Sequence, residues 1–122
     1  MRLTSYSIII FIITSFNFLI TSNSLVAGDT AVILMYHRFG ETTYPSTNVR
    51  LKQFDLHLTE LRDKNYNVLP VREIISKLKI GESLPEKTVG ITIDDGYGSV
   101  FSEAWPRFQR FNFPFTIFIS TA

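Results

Sequence analysis

The chain has 122 residues and a formal net charge of +1, with 45% of its residues apolar and 14% aromatic. That suffices for one small folded domain and argues against disorder. The lack of cysteine excludes a disulfide framework and a cysteine-ligated zinc site. The balanced charge, with no basic stripe, argues against a nucleic-acid partner.

The N-terminal stretch reads as a targeting segment. Arg2 precedes an apolar run over residues 8–20, and small and polar residues follow. This is the pattern of a secretory signal peptide. The run holds Thr14, Ser15 and Asn17 and is short of the roughly 20 apolar residues a spanning helix needs, so no stable transmembrane span is expected. Cleavage after Ala27 or after Ser24 fits. The expected division is a signal peptide over 1–27 and a folded part over 28–122, secreted or periplasmic and near neutral once Arg2 is removed.

Residues 31–36, "AVILMY", form a continuous apolar run, expected as a strand buried on both faces. His37 sits at its carboxyl end. "RFGETTYPSTN" reads as a loop, with Asn48 placed to cap a helix bearing Leu51, Phe54, Leu58 and Leu61. Glu60 and Lys64 are spaced for an ion pair one helical turn apart. "YNVLPV" reads as a short strand ended by Pro70. Val71, Ile74, Ile75 and Leu78 mark one face of a second helix, and "TVGITI" is the next strand. A third helix carries Phe101, Ala104, Trp105, Phe108 and Phe111. Ser102 as its cap would put Pro106 in the first turn, where the missing N–H costs little. "FPFTIFIS" is the last strand.

The order β-α-β-α-β-α-β predicts right-handed crossovers and a parallel sheet covered by helices. Such folds bind ligands at the carboxyl ends of their strands. His37, Asp94, Asp95, Ser120 and Thr121 all fall there, so one shared mouth is expected. Asp94 and Asp95, followed by Gly96, end a strand of buried character. Asp-Gly is common turn chemistry. Two adjacent carboxylates near low dielectric also suit a cation. A zinc-type hydrolytic site needs about three protein ligands and an open position for water, with a carboxylate nearby to take the proton. Asp95 could be one ligand and Asp94 the base. His57, between Phe54 and Leu58 on a helix border, reads as structural, and His37 as a possible pocket residue. A phosphoryl-transfer site for Mg²⁺ fits poorly, since no glycine-rich phosphate loop is present and no lysine lies near Asp94.

"ITIDDGYGS" resembles the first motif of the polysaccharide deacetylases, the NodB-homology or carbohydrate esterase family 4 domain, with Thr92, Asp94, Asp95 and Gly96 matching and Ile93 in place of a phenylalanine. "LMYHRFG", "YPSTNVRLKQFDLHLTEL" and "FPFTIFIST" resemble the segments around it. The resemblance implies a distorted (β/α) barrel, of which this would be the N-terminal portion. It implies Asp94 as catalytic base and Asp95 as ligand of a divalent metal, usually zinc. The implied reaction removes N-acetyl groups from an N-acetylated polysaccharide, either an N-acetylglucosamine polymer or the glycan of peptidoglycan. The family's second motif, with two histidine ligands, has no counterpart here. The expectation is therefore an incomplete domain, with a catalytically inactive truncated fragment or a glycan-binding module as the alternative.

Overall fold

The computed structural model describes residues 30–121. The expected signal peptide lies outside the described residues. Six strands and three helices follow in the order β1 (Val32–Tyr36), β2 (Arg38–Phe39), β3 (Asn48–Val49), α1 (Leu51–Asp63), β4 (Asn67–Val68), α2 (Val71–Lys79), β5 (Thr88–Asp94), α3 (Trp105–Phe111) and β6 (Thr116–Phe118). A π-helical turn, Val100–Ala104, leads into α3. The parallel α/β architecture agrees with the expected portion of a distorted (β/α) barrel.

Strand β5 is the spine. It pairs in parallel with β1 along one edge, Val32 opposite Val89 through Tyr36 opposite Ile93. Its other edge is shared. Strand β4 takes the start, with Asn67 opposite Thr88, and β6 takes the end, with Asp94 opposite Phe118. Residues 88–93 are all buried. Side chains alternate along a strand, and the two faces of β5 meet different helices. Val89, Ile91 and Ile93 join a core with Phe39, Phe54, Leu58, Leu61 and Phe108. The opposite face at Gly90 lies against Val71 and Ile74 of α2 and Ile33 of β1. Helices on both sides explain why the strand reads as a nearly unbroken apolar run.

Helix α1 buries Phe54, Leu58 and Leu61, spaced four and three residues apart, as a one-sided helix must. Burial of each such side chain contributes about 1.5–3 kcal/mol. Phe54 is the aromatic hub, with ring centroids 4.8 Å from Phe39, 5.2 Å from Phe108 and 5.4 Å from Tyr36. All three helices end alike. Asn65, Gly81 and Asn112 take left-handed backbone. The next amide then reaches back five residues, as in Tyr66 to Leu61, Glu82 to Lys77 and Phe113 to Phe108. This satisfies carbonyls that the last turn leaves open.

Several expectations are corrected. Strand β1 is not buried on both faces: Val32 and Met35 are 59% and 63% exposed. Only one edge of β1 is paired among the described strands, and the described elements leave much of its surface uncovered. The segment read as a loop contains the small parallel pair β2–β3, Arg38 opposite Asn48. Asn48 therefore lies in a strand, and its Oδ1 accepts from the Glu41 amide instead of capping α1. Arg50 occupies the cap position and makes no side-chain cap bond. Glu60 and Lys64 form no ion pair; Lys64 closes the end of α1, its amide bonding the Glu60 carbonyl. Ser102 falls inside the π-helical turn, and Ser99 precedes it. Pro106 still lies in the first turn of α3, because the change of winding restarts the hydrogen-bond ladder there. Phe101 and Trp105 point largely outward, and Phe108 carries the buried contact.

Gly90 leaves no room for a side chain between β5 and its neighbours on β1 and α2. An added Cβ would lie 2.6 Å from Ile33 Cδ1 and 3.1 Å from both Ile74 Cδ1 and Val71 Cγ2. Gly90→Ala is expected to destabilise by about 1–3 kcal/mol through overpacking. Gly98→Ala, which meets nothing within 4 Å, should stay within about 0.5 kcal/mol of wild type. Urea denaturation followed by circular dichroism measures both.

Candidate active site

The register of β5 builds the site. Tyr36 lies opposite Ile93, so His37 follows level with Asp94, and Phe118 lies opposite Asp94 from the other edge. His37 Nε2 is 3.7 Å from Asp94 Oδ2, with both side chains part-exposed. This is an ion-pair distance when the imidazole is protonated and too long for a hydrogen bond. Ser120 Oγ lies 3.5 Å from Asp95 Oδ1, a long and weak contact. Four of the five residues expected at one mouth thus come together, and Thr121 is exposed just beyond.

The backbone at the pair is strained. Asp95 has φ of +69° and Gly96 of +68°. The Gly96 amide donates to the Asp94 carbonyl at 2.9 Å. That closes a three-residue γ-turn around Asp95, of the hand that L-residues rarely adopt. The Asp95 amide meanwhile donates to the Phe118 carbonyl at 2.8 Å, which ties the turn to β6. A Cβ on Gly96 would meet only ordinary contacts at 3.8 Å, from Ile117 and Ile119. Glycine is needed there for its backbone, and not for space. Strain of this kind concentrates at functional sites.

A second cluster, absent from the sequence-based expectations, flanks the turn. The Arg38 guanidinium lies over the Tyr97 ring at 3.3 Å from its centroid and over Tyr44 at 4.1 Å. Arg38 Nη1 donates to Glu41 Oε2 at 2.7 Å. Ser99 Oγ donates to Glu41 Oε1 at 2.6 Å and accepts from the Phe39 amide at 3.2 Å. The hydrogen bond from Ser99, then that from Arg38, hold the Glu41 carboxyl below its ordinary value near 4.5. The available signal was "HRFGE" beside "GYGS", two short polar segments with nothing to pair them until the register of β1 and β5 is known.

His57 belongs to a different place. Its Nδ1 shares a 3.0 Å hydrogen bond with Tyr36 Oη, and burial pushes the Tyr36 hydroxyl up to about 12. The pair lines a groove of about 450 Å³ beside Leu34, Glu60 and Tyr66. A hollow of about 700 Å³ lies between α3 and β6, lined by Trp105, Phe108 and Phe115. Neither includes Asp94 or Asp95, which stand on an open rim. Among the described residues, no three histidine, cysteine or acidic side chains come together as a metal-ligand set. Asp94, Asp95 and His37 therefore do not complete a metal site by themselves. Among those residues, too, no helix is long and apolar enough to cross a membrane.

Two outcomes are expected. Asp95→Asn should fold with near wild-type stability, since asparagine tolerates left-handed backbone, whereas Asp95→Val should lose about 1–2 kcal/mol relative to it; denaturation midpoints of the two variants decide this. Glu41 acts through acid. Its lowered folded value means its pairing stabilises above the ordinary carboxylate range, and that contribution is lost as pH falls through the folded value. The drop in thermal midpoint between neutral and acid pH should be smaller in Glu41→Gln than in wild type.

No family model matches the sequence. Over 87 residues, 71% of this chain, it is 34% identical to YxkH of Bacillus subtilis, a protein with a provisional polysaccharide deacetylase name. Over 54 residues, 44% of the chain, it is 37% identical to the poly-β-1,6-N-acetyl-D-glucosamine N-deacetylase of Escherichia coli K12. The solved structure of IcaB from Ammonifex degensii superposes with a TM-score of 0.67 at 30% identity, over 76% of this chain and 39% of that one. The chain spans 30% of the length of YxkH and 8% of the Escherichia coli enzyme. In sequence and in fold, it is similar to the polysaccharide deacetylases over part of their length.

Proposed function

We propose that the chain carries the carboxylate side of a hydrolytic site that removes N-acetyl groups from an exported polysaccharide, an N-acetylglucosamine polymer or the glycan of peptidoglycan. One observation carries this reading. A single buried strand delivers Asp94 and Asp95 to the carboxyl rim of a parallel sheet, in a strained turn, beside His37. The relative that acts on poly-β-1,6-N-acetyl-D-glucosamine supports the substrate class. Export rests on the N-terminal sequence pattern.

Amide hydrolysis needs a base for the proton of the attacking water. We assign that role to Asp94, and its part-exposed carboxylate 3.7 Å from His37 Nε2 supports the assignment. Asp95, at the centre of the γ-turn, is left for a different task. The family resemblance assigns it to a divalent metal, in the main zinc, which when bound would polarise the acetyl carbonyl and acidify water. The described residues supply too few donors for that ion, so metal dependence calls for ligands beyond them.

The same shortage of donors favours a second reading, a glycan-binding or catalytically inactive piece of the fold. Acetate release from N-acetylglucosamine oligomers separates the two. Under the first reading, a full-length form that carries the further ligands releases acetate with zinc, Asp94→Asn in it lowers the rate by roughly 100-fold or more, and equal rates in mutant and wild type would sink it. Under the second, the 122-residue chain releases no acetate and takes up less than one zinc ion per chain in a calorimetric titration.

A further inference from the structure

We propose that Arg38, Glu41 and Ser99 are positioning residues that hold the Asp94–Asp95–Gly96 turn in its strained form. The purpose rests on the reading of the two aspartates given above; the mechanical claim does not.

The argument starts from the cost of the turn. A non-glycine residue with φ of +69° inside a γ-turn relaxes unless its surroundings over-determine it. On one side the restraint is the Asp95 amide bonded to the Phe118 carbonyl. On the other, the chain leaving the turn must also be held. Tyr97 and Ser99, which flank Gly98 there, are the two residues gripped by the segment after β1. Arg38 covers the Tyr97 ring, and Tyr44 covers Arg38 from another side. Glu41 uses one carboxylate oxygen on Arg38 and the other on Ser99. The Glu41 amide is itself fixed by Asn48 Oδ1 at 2.8 Å. Ser99 closes the loop by accepting from the Phe39 amide.

Each part suits the task. A guanidinium is planar, so it can stack on rings and still donate in its own plane. A carboxylate has two oxygens, so it can take a donor from each segment. Residues 38–41 and 97–99 are far apart in sequence, and charge-assisted bonds between them are the stronger kind. Among the described residues, Phe39 is also a core side chain. The clasp is therefore anchored in the core at one end and grips the turn at the other.

The test is amide hydrogen exchange in the 122-residue chain, read residue by residue by NMR. In Ser99→Ala and in Glu41→Gln, the Asp95 and Gly96 amides should exchange about tenfold faster or more, as loss of a charge-assisted hydrogen bond implies. The Ile91 and Ile93 amides, deep in β5, should keep their wild-type rates. Ser99→Thr keeps the hydroxyl and should restore slow exchange. Wild-type rates at Asp95 and Gly96 in both variants overturn the proposal. A uniform acceleration that includes Ile91, or loss of folding in both variants, overturns it in favour of a purely structural role. The readout needs no turnover. Exchange as expected here, together with unchanged acetate release in Asp94→Asn of a full-length form that carries the further ligands, refutes the deacetylase reading alone.

Discussion

Strand β5 is covered on both faces, and that constraint organises the rest. One face needs the aromatic core around Phe54, and the other needs α2 pressed against Gly90. A strand enclosed in this way cannot slip in register without exchanging its two sets of side chains. Its pairing with β1 and β6 is therefore firm, and so is the height at which it ends. The apolar run stops where the strand leaves the covered zone, and Asp94 is the first side chain of β5 to regain partial exposure. The position of the carboxylates is thus a by-product of how the core is packed.

Past that point the chain has little packing to hold it. The turn at Asp95 sits in backbone that side chains resist, and the segments around it are short and polar. What keeps it in place is a set of polar contacts between two pieces of chain that meet only because β1 and β5 lie side by side. The fold and the site are linked through this junction. Damage to the packing of β1 would be felt as looseness at Asp95 well before the core itself opened.

Much of this was legible in the sequence. The helices announce themselves by spacing, as Phe54, Leu58 and Leu61 do, and β5 by its β-branched run. The common mouth followed from the rule for parallel sheets, and His37, Asp94, Asp95 and Ser120 do meet there. What stayed hidden depends on long-range geometry. The exposure of β1 reflects which neighbours cover it, and a run of apolar residues does not encode its neighbours. The β2–β3 pair is two residues long on each side, below any periodicity. The wrong helix caps at Asn48 and Ser102 came from reading a local preference where a tertiary contact and a π-helical turn had prior claim. The cluster of Arg38, Glu41 and Ser99 has no motif at all.

The aromatic core has one further consequence. Trp105 is the single tryptophan of the chain. It stands at the start of α3, half-exposed, with its ring edge-on to Phe115 at 5.7 Å, and Phe115 stacks in turn on Phe108 at 4.6 Å. Its fluorescence is therefore an optical gauge of how α3 seats against the segment leading into β6. Among the described residues the rim at Asp94 holds no tryptophan, so emission would report on a different part of the molecule from the two aspartates.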